Sequence, residues 1–322
     1  MNVSAVITFL RRRYSIILPL VLLVVLVVVF AISSDVFLTS RNFSNIFRQS
    51  AVLLIVAMGA TFIILQGSID LSVGSIVAFS SICAALLVDI WDIGLWAIGG
   101  GMILGAMAGA FNGAIFAYGK VPSFLVTLGT LSIVSGLGLM LCEGKAVTIP
   151  FDSNYRSASS GTLIGNLPNI VLWSLGVSAV MVFVARYTRF GRYMYAIGGG
   201  EKVARLSGVP VDRFKLYAFM LSGLVSGLAG ALMAARMGSG SSVLGEGLLL
   251  DSIAAVVIGG TALTGGVGGP HRTVLGVLIV AILSNGLNIN AVQAFHQEII
   301  KGSIVILAVF MTIDRNKIQI MK

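Results

Sequence analysis

Runs of apolar residues long enough to cross a lipid bilayer recur along the whole of this 322-residue chain. A helix crosses the hydrocarbon core of a membrane with about 20 mainly apolar residues. Charged residues make up only 10% of the chain, whereas a soluble domain carries about 25%. Because backbone groups in lipid must be hydrogen-bonded within the chain, we expect each run to form a helix. The sequence therefore predicts an all-α integral membrane protein surrounded by a lipid bilayer.

Ten transmembrane helices are predicted, and together they form a single transmembrane domain over residues 1–322. The first apolar run follows Arg11, Arg12 and Arg13 and resembles a signal peptide, but its length favours an uncleaved helix. The predicted spans are 15–33, 50–66, 72–89, 93–118, 123–142, 169–187, 213–236, 249–263, 272–291 and 297–313.

The distribution of basic residues predicts the orientation of the chain. Most of the 21 Lys and Arg residues lie on one side when both termini are cytoplasmic, as the positive-inside rule requires. The densest basic group falls in the predicted cytoplasmic segment 188–212. Since the basic residues cluster between apolar runs, the net charge of +9 indicates membrane topology, and we expect no nucleic-acid partner.

Two Asn-Gly pairs suggest an internal repeat. Asn112-Gly113 lies in the fourth predicted span, and Asn285-Gly286 lies in the ninth. These spans run in opposite directions, so the pairs predict an inverted repeat of spans two to five against spans seven to ten. Chance similarity between apolar helices is the alternative.

The fourth predicted span carries a glycine at every fourth position, which places these glycines on one face of a helix. Small residues on one face allow a neighbouring backbone to approach closely. Gly223 and Gly227 of the seventh span have the same spacing. Tight helix packing is the simpler interpretation, and a sliding surface for a transport movement is the alternative. The four glycines of the stripe are Gly101, Gly105, Gly109 and Gly113.

Two polar segments interrupt the apolar runs. In segment 67–75, Asp70 and Ser72 precede a predicted helix and suit its N-terminal cap. An ion site or a permeation segment are the alternatives, because a charge deep in lipid is costly. Segment 259–270 is rich in glycine, which allows close backbone approach, but it lacks the lysine of a phosphate-binding loop. The predicted translocation or gating residues are Asp70, Ser72, Asn112, Thr261 and Asn285.

The sequence shows no nucleotide-binding motif, metal-ligand group or catalytic cluster. His271 and His296 have no third ligand near them, and Cys83 and Cys142 lie in apolar segments as small hydrophobic residues do. We therefore expect no cofactor, no metal and no enzyme activity. A transporter without an ATP site of its own must be driven by an ion gradient or by a partner protein.

The cytoplasmic segment 188–212 contains a short stretch that is too polar to enter lipid. Residues 201–206 are predicted to form one helix between Gly200 and Gly208. A helix of this length is marginal in water, so we expect it to need a docking partner. A solvated loop is the alternative.

Together these motifs resemble the permease subunits of the ribose and related monosaccharide ABC-type importers. The resemblance covers residues 42–314. It implies a type II ABC importer fold with about ten helices, and two permease copies, identical or different, assembled with two ATP-binding subunits. It also implies an external sugar-binding protein and a location in the bacterial inner membrane. The motifs that carry the resemblance are 67–74, 191–198, 201–208, 259–261, 265–266, 285–288 and 301–302.

The resemblance further implies that residues 199–206 are a coupling helix that docks on the ATP-binding subunit. Its spaced basic residues are expected to meet an acidic surface there. Relatives often have Asn before the Glu, where this chain has Gly199-Gly200, so a different helix cap is expected. The implied coupling residues are Gly199, Gly200, Glu201, Lys202, Ala204, Arg205 and Leu206.

The function implied by the resemblance is import of a monosaccharide, most simply a ribose-like pentose, by alternating access powered by the partner ATPase. The main alternative is an ion-coupled secondary sugar transporter. That alternative needs ion-coordinating groups in mid-membrane, and Asp70 and Asp251 both lie near predicted helix ends. A membrane enzyme and a simple channel are further alternatives.

Overall fold

The structure is a computed structural model, and it describes residues 3–164 and 167–312. Most of these residues are helical, and a few short strands lie in the connections. The helices are α1 (Val3–Ser33), α2 (Ser40–Leu65), α3 (Val73–Trp91), α4 (Ala97–Ala117), α5 (Ser123–Cys142), α6 (Ser157–Ser160), α7 (Asn169–Tyr187), α8 (Arg189–Gly199), α9 (Glu201–Leu206), α10 (Val211–Met237), α11 (Leu248–Ile258), α12 (Pro270–Ile289) and α13 (Ala294–Thr312). The strands are β1 (Val147–Thr148), β2 (Thr162–Ile164), β3 (Leu167–Pro168) and β4 (Ser239–Gly240).

Seven helical segments among the described residues are long and apolar enough to cross a membrane. The apolar part of α1, Ile17–Ser33, and α11 are shorter. The protein is therefore a multi-pass, all-α membrane protein, and the count of ten membrane helices stays a prediction. The seven segments are Ser40–Leu65, Val73–Trp91, Gly94–Ala117, Ser123–Cys142, Asn169–Tyr187, Val211–Met237 and Pro270–Ile289.

The predicted spans agree well with the observed helices except at their polar ends. Helices α5 and α7 have the predicted bounds, whereas α2 begins at Ser40 instead of residue 50. Thr39 caps α2, because its hydroxyl accepts a hydrogen bond from the backbone N–H of Asn42 at 3.3 Å. The first turns of α2 are polar, so an apolar run could not show them.

Helix α11 ends at Ile258, five residues before the predicted end of that span. With 11 residues it is about 16 Å long, roughly half of the ~30 Å hydrocarbon core. Gly260 follows it with a φ of +94°, a conformation that glycine adopts without strain. An irregular loop over residues 259–269, here called the glycine loop, then leads to α12. Helix α11 alone is therefore too short to cross the hydrocarbon core.

Helices α2 and α10 form the centre of the bundle. Both are almost wholly enclosed by other helices, whereas α4, α5 and α7 leave most of their surface uncovered. The uncovered side chains are large and apolar, such as Ile103 and Met107 on α4 and Leu128 on α5. These outer helices therefore present surfaces suited to lipid or to another membrane subunit.

The glycine stripe of α4 lies directly against α10. A Cβ atom on Gly105 would lie 2.8 Å from the Gly227 Cα, and one on Gly113 would lie 2.8 Å from the Leu216 Cα. Added Cβ atoms on Gly223 and Gly227 would in turn meet the Gly105 and Gly101 carbonyl oxygens. The two helices are therefore in backbone contact along several turns, as small residues at a membrane helix interface allow.

The connection between α5 and α7, which the predicted orientation places on the external side and which is here called the predicted external loop, folds back onto the bundle over its described residues 143–164 and 167–168. Strand β1 pairs antiparallel with β4, so that Val147 lies opposite Gly240. The fully buried Tyr155 donates a hydrogen bond from its hydroxyl to the Ala231 carbonyl at 2.6 Å. The loop is therefore anchored to the end of α10 by backbone pairing and by one buried side chain.

Candidate translocation and coupling sites

Asp70 lies in the short connection between α2 and α3, called the Asp70 loop (residues 66–72), and is almost completely buried. Its Oδ1 accepts hydrogen bonds from the Ser72 backbone N–H at 2.9 Å and from the Ser72 hydroxyl at 2.6 Å. Its Oδ2 accepts from the Ser222 hydroxyl at 3.4 Å. Ser72 stands just before α3, but its side chain makes no hydrogen bond to the first turn of the helix. Asp70 thus organises the turn and ties it to α10.

Helices α4 and α5 hold the Asp70 loop from the other side. The side-chain amide of Asn112 on α4 donates to the Ser72 hydroxyl at 2.8 Å. On α5, Ser123 accepts from the Ile69 N–H at 3.2 Å, and Thr127 accepts from the Leu71 N–H at 3.0 Å. The predicted candidates Asp70, Ser72 and Asn112 therefore form one connected polar site.

Buried polar atoms without a hydrogen-bond partner among the described residues lie in or next to this site. Gln66 is the first residue of the Asp70 loop and is nearly fully buried, with both side-chain amide atoms unpaired. The Asn112 Oδ1, the Thr130 hydroxyl and the Ser226 hydroxyl are also unpaired. Thr130 lies one helical turn beyond Thr127, and Ser226 one turn beyond Ser222. An unpaired buried polar atom costs about 1–3 kcal/mol, so these atoms make the region less favourable than a fully hydrogen-bonded one.

The glycine loop packs against the Asp70 loop through backbone atoms. Gly266 donates its N–H to the Leu65 carbonyl at 2.9 Å, and a Cβ on Gly265 would lie 2.8 Å from the Gly67 nitrogen. Thr261, the predicted candidate in this segment, is fully buried and accepts the Gly269 N–H at 3.0 Å. Thr261 therefore closes the glycine loop. Among the described residues, it forms no hydrogen bond with the Asp70 site.

Asn285, the remaining candidate, lies in a different place. Its side-chain amide forms a reciprocal pair with Asn42 of α2, with both N–H···O distances at 3.0 Å. Further along the same two helices, the Thr61 and Thr273 hydroxyls are 2.7 Å apart. These pairs join α2 to α12 at two depths, away from Asp70.

Helices α8 and α9 form an arm between α7 and α10. Within α8, the Tyr195 hydroxyl donates to the Gly268 carbonyl at 2.9 Å, and burial raises the pKa of this phenol despite the nearby cations Arg272 and Arg186. A Cβ on Gly198 would lie 3.0 Å from the Gly265 carbonyl carbon. The arm therefore contacts the glycine loop, which in turn contacts the Asp70 loop.

Helix α9 has the bounds predicted from the sequence, Glu201–Leu206, with Gly199 as the last residue of α8 and Gly200 as the residue before α9. Its role in coupling stays a prediction. Ala204 is buried against the protein, whereas Lys202 is exposed. Leu206 is 90% exposed and Val203 is 68% exposed. The outward face of α9 therefore carries two apolar side chains beside its charged ones, whereas the expected contact was made by basic residues.

Arg205, expected to face an acidic partner surface, is already paired within the chain. It binds Asp212 at 2.9 Å and Glu201 at 3.3 Å. The hydrogen bonds that Arg205 donates to Asp212 are the main reason why the pKa of Arg205 is raised. Burial by itself raises the pKa of Glu201, but its hydrogen bond and charge interaction with Lys215, together with Arg205, lower that pKa overall.

Several residues of both sites escaped the sequence interpretation. Ser123, Thr127 and Ser222 are ordinary helix residues in sequence, and only the fold brings them to the Asp70 loop. Asp212 and Lys215 were recognisable only as charges near the start of a span. The chain breaks between α9, which ends at Leu206, and α10, which begins at Val211. No single helical spacing therefore linked Arg205 to Asp212 or Glu201 to Lys215.

The bundle, its short helix α11 and its buried polar loop define a multi-pass membrane transport protein. The sequence profile of the family described as branched-chain amino acid transport system / permease component matches residues 42–312. The chain therefore belongs to this family of permease components. It is a transport subunit and not an enzyme.

Individual relatives agree with this assignment over nearly the full length. The ribose import permease protein of Escherichia coli (strain K12) is 38% identical over 296 residues, covering 91% of this chain and 92% of that protein. The ribose import permease protein of Bacillus subtilis (strain 168) is 39% identical over 300 residues, covering 93% and 92%. A probable ABC transporter permease protein of Escherichia coli (strain K12) is 38% identical over 308 residues, covering 95% and 91%.

Proposed function

We propose that this chain is the membrane-spanning permease subunit of an ABC importer that carries a monosaccharide, most simply a ribose-like pentose. Two permease copies, two ATP-binding subunits and an external sugar-binding protein form the working complex in the bacterial inner membrane. The similarity to ribose import permeases over about nine-tenths of the chain supports the substrate class. The single observation that carries the mechanism is the arm α8–α9, which presents Val203 and Leu206 outward.

The proposed mechanism is alternating access powered by the partner ATPase. A change of conformation needs a ligand or partner that binds the two states with different free energy. Helix α9 receives the movement of the ATPase, and the arm passes it to the glycine loop and the Asp70 loop through the contacts of Tyr195, Gly198 and Gly266. The coupling residues Gly199, Gly200, Glu201, Lys202, Ala204, Arg205 and Leu206 act together in this role.

The Asp70 site lies on the proposed sugar path. Its unpaired polar atoms at Gln66, Asn112 and Thr130 are enclosed in this conformation. In the proposed mechanism they hydrogen-bond the hydroxyl groups of a passing sugar when the path opens. Ser72 and Thr261 hold the two loops that flank the path. The Asn285–Asn42 pair holds α2 against α12, and we propose no contact between Asn285 and the sugar. The path is expected to be weakly selective, with the binding protein choosing the sugar.

The proposed topology has ten membrane helices with both termini in the cytoplasm, a single domain, and spans two to five repeated inversely as spans seven to ten. Asn112 and Asn285, the residues that suggested the repeat, are both buried and both bind a residue of α2 or of the loop that follows it. In an exact repeat the counterpart of the Asn285 contact with α2 would be a contact of Asn112 with α10, and Asn112 bonds to Ser72 instead. The paired Asn-Gly motifs of the sequence are therefore what supports the repeat. Ser160→Cys and Ser207→Cys, each in a chain lacking Cys83 and Cys142, test the orientation, since only the first is expected to react with an impermeant thiol reagent on intact cells.

Reconstitution in proteoliposomes tests the function. The chain is combined with its ATP-binding subunit and sugar-binding protein, and uptake of radiolabelled ribose, other pentoses and hexoses is measured with and without ATP. ATP-dependent accumulation of one sugar is expected. Uphill uptake by the chain alone, under a proton or sodium gradient, would establish the ion-coupled alternative instead.

A matched pair of substitutions tests the docking surface. Leu206→Asp is expected to weaken binding of the ATP-binding subunit strongly, because it places a charge in an apolar contact. Leu163→Asp is the control, since Leu163 is 80% exposed but lies in the predicted external loop. Equal retention of the ATP-binding subunit by both variants during purification would show that α9 is not the docking surface.

A further inference from the structure

Helix α9 is joined to the membrane bundle by charged side chains that the docking role does not require. Arg205 makes two parallel hydrogen bonds to Asp212, from Nη1 to Oδ2 and from Nη2 to Oδ1, both at 2.9 Å. Asp212 lies in the first turn of α10. A paired fork of this kind fixes the relative orientation of the two groups as well as their distance.

Lys120 extends this connection to the turn between α4 and α5. Its Nζ lies 2.7 Å from the same Oδ1 of Asp212. Asp212 therefore bridges three segments of the chain, because it accepts from Arg205 of α9 and from Lys120 while it belongs to α10.

A second connection runs beside the first. Glu201 of α9 accepts a hydrogen bond from Lys215 of α10 at 2.8 Å. Lys215 is 8% exposed, and its Nζ lies 4.5 Å from the centre of the Phe116 ring on α4. Both ends of α9 are thus held by residues of α10, and each of these residues also contacts α4 or the turn that follows it.

Helices α10 and α4 themselves behave as one unit at these contacts. Their backbones touch along the glycine stripe, so that neither helix can slide without separating Gly105 from Gly223 and Gly227. A displacement of α9 that is passed to Asp212 and Lys215 therefore reaches both helices, and through Ser222 and Asn112 it reaches the Asp70 loop.

We infer that Asp212 is a positioning residue for energy coupling, which fixes α9 to α10 and to the α4–α5 turn so that the three move together. This inference rests on the proposed coupling role of α9. Asp212 does not touch the ATP-binding subunit or the sugar in this scheme, and the exposed face of Val203 and Leu206 makes the docking contact. Loss of Asp212 then uncouples ATP hydrolysis from transport, while the ATP-binding subunit stays bound to α9.

The test uses the complete complex with its ATP-binding subunit and sugar-binding protein. Asp212→Asn removes the charge at nearly constant size. We expect the amount of bound ATP-binding subunit to stay at the wild-type level, while sugar transported per ATP hydrolysed falls about tenfold, within the usual range for coupling between sites. Asp212→Glu, which keeps the carboxylate, is expected to restore part of this ratio.

Arg213→Gln is the matched control, because Arg213 is the neighbouring residue, is exposed, and forms no ion pair among the described residues. It is expected to leave the ratio unchanged. If Asp212→Asn does not fold, Arg205→Lys gives the second measurement, since it keeps the charge and removes the fork. A wild-type ratio in either folded variant would overturn the inference. A wild-type complex that shows no ATP-driven uptake would instead contradict the proposed function.

A distance measurement supplies a readout that does not depend on transport. Spin labels are attached at Ser207→Cys, next to α9, and at Tyr118→Cys, at the end of α4. Both positions are exposed, and Cys83 and Cys142 are buried. We expect one narrow distance distribution with and without ATP in the otherwise wild-type complex, and a broad one with Asp212→Asn. An unchanged narrow distribution in that variant would also overturn the inference.

Discussion

Helix α10 is joined to α4 and to α9 in two different ways. Against α4 it makes backbone contact, with glycines on both sides and nothing between them. Against α9 it is connected by ion pairs, Arg205 with Asp212 and Lys215 with Glu201. The first interface lies among apolar residues, and the second lies among charged residues of which Lys215 is buried and the others are partly exposed.

The difference follows from the solvent of each region. In lipid, apolar side chains gain little by leaving their surroundings, so close packing of small residues is what holds helices together. In water, exposed ion pairs contribute little stability, about 0–1 kcal/mol each, but they can set geometry. The α4–α10 interface is therefore expected to determine whether the protein folds, and the α9 connections are expected to determine how movement is transmitted.

The largest expected effect is on the glycine interface. Gly109→Ala places a Cβ where the structure has the Phe219 carbonyl, with the Phe219 carbonyl carbon at 2.9 Å. The helices must separate to accept it, so we expect a loss of about 3 kcal/mol or more of folding stability. Thermal unfolding of the purified protein in detergent measures this loss.

The control for that substitution lies on the same helix. Gly99 has open space around an added Cβ, so Gly99→Ala is expected to be neutral or slightly stabilising because alanine favours the helix. Similar melting temperatures for the two variants would show that the backbone contact between α4 and α10 is not what holds the bundle.

The fold was largely predictable from sequence because its strongest determinants are local. Apolar runs define helices in lipid, so α5 and α7 were placed at their observed bounds. The capped start of α2 at Thr39 and the early end of α11 before Gly260 depend on single turns, which apolar runs do not report. The short strand pair β1–β4 joins residues nearly a hundred positions apart, and no pattern in either segment indicates it.

The sites were predictable only in part, because local sequence patterns do not report contacts between distant segments. Asp70 and Ser72 stood out as polar residues within an apolar sequence, and the fold joins them to Asn112. The side chains that complete the site, such as Thr127 and Ser222, come from other helices. Arg205 shows the limit most clearly, since its charge suggested an external partner until the fold placed Asp212 beside it.

A large effect on transport is expected from reversing the charge of Arg205. Arg205→Glu brings a third carboxylate beside Glu201 and Asp212, so repulsion replaces both ion pairs of Arg205. We expect uptake to be abolished while insertion in the membrane and the melting temperature stay close to wild type. Sugar uptake in cells and unfolding of the purified variant are measured in parallel, and normal sugar-dependent transport would reject the coupling role of α9.

A moderate effect on stability is expected at the Asp70 loop. Buried side chains hold this loop by hydrogen bonds, whereas the α4–α10 interface is held by backbone packing. Asp70→Asn weakens the bonds from the Ser72 N–H and hydroxyl, and we expect a loss of about 1–3 kcal/mol together with slower uptake. Asp89→Asn, at an exposed position of α3, is the control. Thermal unfolding of both variants measures the effect, and equal melting temperatures would mean that backbone packing alone holds this region.

The smallest expected effect is the response of α9 to acid. The cations Lys215 and Arg205 lower the pKa of Glu201 below its ordinary value, against the opposing effect of burial. A carboxyl group with a lowered pKa in the folded state stabilises that state above its unfolded pKa and ceases to do so as the pH falls through the folded value. Because an ordinary Glu has a pKa of about 4.3, the Glu201–Lys215 pair should be intact at neutral pH and lost only in acid below that value.

Hydrogen exchange over residues 201–206 is therefore expected to be slow and nearly constant from about pH 8 to pH 5, after correction for intrinsic rates, and to accelerate below about pH 4. Glu201→Gln should remove this acid response while leaving exchange in α4 and α10 unchanged, since those helices are held by contacts that carry no charge. An acid response that persists in Glu201→Gln would show that a different carboxyl group causes it. The Glu201–Lys215 pair would then contribute less to holding α9 than the Arg205–Asp212 pair.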